Sequence, residues 1–301
     1  GLVGSEMCIR DSYNIVDRIY IARIPHIGTA ALGAVGLCFP VIVIITAFSN
    51  LFGSGGAPLF SIERGKNEPQ EAKKIMNISF SMVCICAIVL MVIGFLFARP
   101  ILVLFGASKD ALIYAYPYLM LYLIGTLPSM IATGMNPFIN AQGYSTIGML
   151  SVTIGAVTNL LLDPLFIFVF GLGVRGAAIA TVISQTLSAA FVFFFLTKKA
   201  ELKVRLLKKE ELANCTAYAK NIVSLGTAGF IMQLTNSLVT ICCNNVLSVT
   251  GGDIYISVMT IISSVRQLVV PTAMTRWPAA RVSLMSFAVS SAVAAKLMAL
   301  P

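Results

Sequence analysis

In the run NLLLDPLFIFVF, Asn159 to Phe170, a single carboxylate, Asp163, interrupts Leu, Ile, Phe and Val and is followed at once by Pro164. A charged side chain at the centre of a spanning helix costs roughly 2.5–3.5 kcal/mol even on lenient insertion scales, so a residue kept there points to a functional site. The alternative is a carboxylate that merely hydrogen-bonds a neighbouring helix. Asn159 stands four residues earlier, on the same helix face one turn away, and brings an amide oxygen and two N–H donors beside the carboxylate. Pro164 cannot donate a backbone hydrogen bond, so it bends or breaks the helix and releases a carbonyl one turn back. Together these residues make an oxygen-rich pocket in apolar surroundings, where Asp163 would take up a proton or hold a small cation such as Na⁺.

Asp17, in NIVDRIY, is the second candidate, with Asn14 three residues earlier on the same face. Two carboxylates in one bundle would couple, holding one proton or cation between them. Arg18 either pairs with Asp17 or marks the membrane edge. Other chemistries fare worse. The chain has one histidine, His26, which leaves no basis for a His triad or a multi-histidine metal site. Cys38, Cys84, Cys86, Cys242 and Cys243 lie in apolar runs, and Cys84 and Cys86 would point in different directions on a helix, so packing is their role. The Gly-rich FGSGGAP, Phe52 to Pro58, lacks the Lys-Ser/Thr ending of a phosphate loop and reads as a small-residue helix end suited to close packing. RGAAIAT, Arg175 to Thr181, reads the same way, with Thr181 as a hydroxyl ligand. Asn159 and Asp163 also match the first half of the NxxxDxxxD pattern by which membrane prenyltransferases bind Mg²⁺ diphosphate, but Ile167 stands where the second Asp is required. No enzymatic activity and no cofactor beyond H⁺ or Na⁺ is expected.

The elements that must position these residues are membrane helices. Hydrophobic residues make up 58% of the 301 and charged ones 11%, with a mean hydropathy of +0.91, far from the roughly one-quarter charged residues of soluble domains. The net charge of +9 is spread over short loops between apolar runs, which fits membrane topology and argues against a nucleic-acid partner. Runs long enough to cross a bilayer fall at 30–52, 75–97, 112–133, 146–170, 177–196, 221–248 and 254–275, behind a half-length first span at 12–24. The segments 61–74 and 197–220 are basic-rich and separated by four spans. The positive-inside rule therefore makes both cytoplasmic, in a multi-pass protein of the plasma membrane. The 198–220 linker alternates Leu202, Leu206, Leu207 and Leu212 with Lys203, Arg205, Lys208 and Lys209, and would lie along the inner bilayer surface as a hinge between two bundles. A solvated basic loop is the alternative.

The stretches beginning at Asn14 and Asn236 repeat each other faintly, each with an Asn in a span, a Gly-containing turn and a small-residue helix, as internal repeats of transporters do. The expected organisation is an artefactual leader over 1–12, a first lobe over 13–197, the linker over 198–220, the start of a second lobe over 221–274, and a tail over 275–301. That tail reads as frameshifted text, or alternatively as an Ala-rich final helix.

With these motifs assembled, the chain resembles the MATE (multidrug and toxin extrusion) family of antiporters, in its bacterial and archaeal branch. The stretches that carry the likeness are YNIVDRIYIARIPHIGTAALGAVGLCFPV, GSGGAPLFSIERGKNEPQEAKK, NPFINAQGYSTIGML and, most specifically, NLLLDPLFIFVFGLGVRGAAIATVISQ. The resemblance implies an all-α fold of two six-helix lobes, here with the first nearly complete and the second cut short. It also implies export of small cationic or amphipathic compounds against inflow of H⁺ or Na⁺. It places the cation site on Asp17, Asn159, Asp163 and Thr181, with Asn136 nearby. A lipid-linked oligosaccharide flippase of the same superfamily is the related alternative.

Overall fold

The computed structural model describes residues 16–25, 27–205 and 215–274. The expected leader and tail, His26, Asn14 and the middle of the linker lie outside these residues. Among the described residues every regular element is a helix. These are α1 (16–22), α2 (Gly28–Gly65), α3 (Pro69–Leu104), α4 (Lys109–Ile124), α5 (Thr126–Ala141), α6 (Ser145–Pro164), α7 (Val174–Phe194) and α8 (Cys215–Met274). Single π-helical turns extend α6 over Leu165–Val169 and α7 over Phe195–Lys199. Non-helical backbone at Gly252 bends α8 into two arms.

Among the described residues five helices are individually long and apolar enough to cross a bilayer, and α4 with α5, bent by 57° at Gly125, together have the length and apolarity of a sixth. The span read at 112–133 is thus two helices. The loop read at 61–74 is mostly helix, because α2 runs to Gly65 and α3 restarts at Pro69. Pro69 suits a first helical turn, where its missing N–H would be unpaired in any case. At the start of α4, Ser108 Oγ accepts from the Ala111 N–H at 3.0 Å and Asp110 lies in the first turn, the usual pairing of cap and dipole.

α2 is the seam of the molecule, packed against α3, α4 and α5 and also against α8. FGSGGAP is not a helix end as expected but lies inside α2, where its glycines admit neighbouring backbone. A Cβ at Gly53 would fall 2.4 Å from the Gly134 carbonyl oxygen, and one at Gly55 2.2 Å from that of Ile222. α6 and α7 pack antiparallel, with Ser188 Oγ donating to the Ser151 carbonyl at 2.9 Å. Ile85, Leu96, Phe97 and Leu161 point outward, as side chains facing lipid must.

The two basic segments meet at one end of the bundle. Arg64 pairs with Glu201 at 2.6 Å, the Leu202 N–H donates to Gln142 Oε1 at 3.1 Å, and the Arg205 N–H donates to Asn77 Oδ1 at 2.9 Å. On the same end the Tyr218 hydroxyl donates to Glu71 Oε2 at 2.7 Å, joining α8 to the polar first turn of α3, ahead of its apolar stretch. A hydrogen bond from Lys74, and then that from Tyr218, hold the Glu71 carboxyl below the ordinary glutamate value of 4.5. A depressed native value gives stability that is present above 4.5 and lost as pH falls through the native value. On this partly exposed surface the effect is small. The melting temperature of the protein is therefore expected to drop slightly on acidification below 4.5, and Glu71→Gln to remove that drop. Identical acid profiles for the two proteins would show that the contact carries no weight.

Candidate functional site

Asp163 lies at the end of α6 with no exposed surface, and Asn159 one turn earlier is 1% exposed. The i, i+4 spacing does what the sequence predicts, since Asn159 Nδ2 donates to Asp163 Oδ1 at 3.1 Å. Across from them α1 presents Asp17, which is also buried, and the two carboxyl groups lie within hydrogen-bonding reach of each other. Asp17 Oδ1 and Asp163 Oδ2 receive no hydrogen bond from any donor among the described residues. Two carboxylates so placed cannot both stay charged cheaply away from water. Chemically, the arrangement suits one shared proton, or a small cation between the two groups.

The disturbance expected at Pro164 takes the form of a wider turn rather than a break. Proline leaves the Leu160 carbonyl without its usual donor, and the π-helical turn follows immediately. That turn aims Phe168 at α1, where its ring meets Tyr20 edge-on at 6.3 Å. It also brings the Phe166 carbonyl against α7, 2.6 Å from where a Gly176 Cβ would stand. Gly171 and Gly173, both at positive φ, make the turn into α7. Thr181 and Asp163 lie at similar distances along the chain from that turn. The Thr181 hydroxyl donates back to the Ala177 carbonyl at 2.9 Å.

Asn136 is the expected site residue that the structure does not bring to the cluster. Its Nδ2 donates to the Gly148 carbonyl at 3.4 Å, near the start of α6. From Gly148 to Asp163 is about 22 Å of helix at 1.5 Å per residue. The likeness in residue type therefore does not carry over to place, and Asn136 instead fastens α5 to α6.

The cluster has two walls that sequence reasoning did not single out. The buried Tyr118 of α4 stands within electrostatic reach of both carboxylates and of Cys38, and its ring stacks on Tyr122 at 6.4 Å. Cys38 of α2 donates to the Ala115 carbonyl at 3.4 Å, which ties α2 to α4 beside the pair. Arg18 is buried next to Asp17 and reaches away from α6 toward α8.

The MatE family profile matches residues 3–165, more than half of the chain, including Asp17, Asn159 and Asp163. The chain belongs to the MatE family. Its curated relatives include multidrug export protein MepA of Staphylococcus haemolyticus, 24% identical over 251 residues, 83% of this chain and 54% of that one. Another is an FAD transporter of Shewanella oneidensis, 25% identical over 232 residues, 75% of this chain and 50% of that one. Among solved structures, an inward-facing multidrug resistance MATE family transporter superposes with a TM-score of 0.80 at 25% identity, covering 87% of this chain and 59% of that one. The MATE multidrug transporter DinF-BH in complex with the dye rhodamine 6G gives 0.78 at 28%, covering 90% and 62%. This MatE chain spans about half the length of the curated relatives it matches. The all-α, multi-pass architecture is that of MATE transporters, with the first lobe and the opening helices of the second present here.

Proposed function

We propose that this MatE chain is part of a plasma-membrane exporter that moves small amphipathic or cationic compounds outward in exchange for H⁺ or Na⁺ moving inward. The Asp17–Asp163 pair is its coupling site. The observation that supports this most is the meeting of two buried carboxylates from α1 and α6, helices far apart in the chain, with an oxygen on each that lacks a donor among the described residues. A coupling ion arriving there changes the charge of a dry site. A ligand drives a conformational change only through unequal affinity for the two states, and that change of charge supplies the inequality. Asn159 orients Asp163 for the ion, Thr181 stands by as a neutral oxygen ligand, and Pro164 with its π-helical turn gives α6 a place to flex. The basic segments meeting at one end of the bundle fit the cytoplasmic side for both.

The test is efflux of rhodamine 6G from proteoliposomes carrying the product of the complete open reading frame that encodes this chain, with H⁺ and Na⁺ gradients imposed separately. Efflux should accelerate with one inward gradient and stop when that gradient is collapsed. Dye movement indifferent to both gradients would sink the coupling. Because one relative is an FAD transporter, FAD is the second cargo to load, and faster movement of FAD than of dye would reassign the substrate class while leaving the pair in its role.

A further inference from the structure

We infer that Arg18 is the positioning residue through which occupancy of the Asp17–Asp163 pair is communicated to the second lobe. This rests on the reading of the pair as the coupling site. Asp17 and Arg18 are consecutive on α1, so their side chains leave the helix about 100° apart. The carboxylate turns to α6 and the guanidinium to the second arm of α8. Arg18 Nη1 donates to Ser264 Oγ at 2.5 Å, and Ser264 Oγ in turn donates to the Thr260 carbonyl at 2.8 Å. The guanidinium also lies 4.7 Å from the centre of the Phe39 ring on α2, a cation–π distance. Both ends of this contact are buried, Arg18 at 8% exposure and Ser264 at 7%.

The α8 surface that receives Arg18 is closely fitted to the first lobe. Thr260 seats against Gly36, where a Cβ would stand 2.1 Å from its hydroxyl oxygen, and Ser257 Oγ donates to the Thr29 carbonyl at 2.8 Å. Arg18 therefore enters a joint between the lobes with its charge beside Asp17, with which it interacts electrostatically. Among the described residues the other titratable groups near the pair are Tyr118 on α4 and Cys38 on α2, both on the first lobe. From α8 the neutral hydroxyl of Ser264 meets this charge. When the pair is anionic it draws the guanidinium toward α6. When a coupling ion occupies the pair that pull falls, and the guanidinium settles on Ser264 and Phe39. The grip between α1 and α8 thus differs between the two ion states. Linkage makes the effect reciprocal, so loosening the grip alters how ion binding moves the lobes.

The experiment measures the distance between spin labels at Ile113 on α4 and Val249 on α8, in a cysteine-free background of the full chain in lipid nanodiscs. Both positions are exposed, on different lobes and at the same end, where Asn245 Nδ2 donates to the Leu104 carbonyl. Acidification, or Na⁺ at saturation, should shift the distance distribution in the parent. In Ser264→Ala and in Arg18→Gln the ion-dependent population ratio should change at least about fivefold less, the lower range of coupling factors. Ser264→Ala removes only a small hydroxyl and decides the matter if Arg18→Gln fails to fold. A full ion response in Ser264→Ala and in any folded Arg18→Gln, alongside a lost response in Asp163→Asn, would overturn the role of Arg18 and leave the pair standing. A full response in Asp163→Asn, or none in the parent, would overturn the pair and this inference with it.

Discussion

Asp163→Asn is expected to abolish ion-driven efflux while leaving the protein folded and inserted. The amide has the shape of the carboxyl and can still meet Asn159, so packing at a site with no exposed surface is kept. What it cannot do is change charge. Moving a two-state equilibrium from one side to the other takes a differential affinity of about 5.5 kcal/mol, and a site left with Asp17 alone can no longer share an ion between two carboxylates, so gradient-driven transport should fall about 100-fold or more. Removing one buried carboxylate also relieves a desolvation cost, so thermal stability should hold or rise. Asp17→Asn should behave alike, and the double variant should be no worse than either single one, since the two groups act as a unit. Additive losses in that cycle would mean that the carboxylates serve separate ions.

The second large effect is structural and lies at the seam. Gly226 on α8 packs so closely on α2 that an added Cβ would stand 2.0 Å from the Leu51 carbonyl oxygen and 2.8 Å from its carbon. These are backbone atoms of a buried helix and cannot swing aside. Gly226→Val should therefore push α8 off α2, at a cost at or above the roughly 3 kcal/mol upper range for overpacked cores. In practice this means loss of the monodisperse peak on gel filtration at temperatures the parent survives. Gly229, one turn away, has no atom within 4 Å of its Cβ direction, and Gly229→Ala should gain about 0.5–1 kcal/mol from helix propensity alone. If both substitutions were tolerated equally, α2 and α8 would not meet as described.

Much of this was legible in the sequence because membrane burial makes polar residues conspicuous. Asp163 stands out by cost, Asn159 by its one-turn spacing, and Asp17 by the same cost argument on a shorter span. Hydropathy found where the chain crosses but misjudged where its helices stop. A transfer scale registers about 30 Å of hydrocarbon, whereas the 38 residues of α2 extend about 57 Å. Nor could it see the bend at Gly125, since a glycine among Leu, Ile and Thr leaves the apolar average unchanged. Tyr118 and Cys38 were missed for a related reason. Each lies in an ordinary apolar run, and only the packing of α2 and α4 on α1 turns them toward the carboxylates. Asn136 failed in the opposite direction: residue type and helix suggested a neighbour, but its depth along the bundle puts it at the other end of α6.

The π-helical turn after Pro164 also sets an angular phase. One residue more than an α-turn requires is wound into Leu165–Val169. Everything beyond it is therefore rotated by about 100° from the direction a uniform α-helix would give. From within that turn Phe168 meets Tyr20 and Phe166 abuts Gly176. Should the surplus residue slip toward Asn159, the stretch it passes would turn while both ends stayed packed, and Asp163 would swing without either lobe having moved. A helix with a misfit built into it can act as its own screw thread.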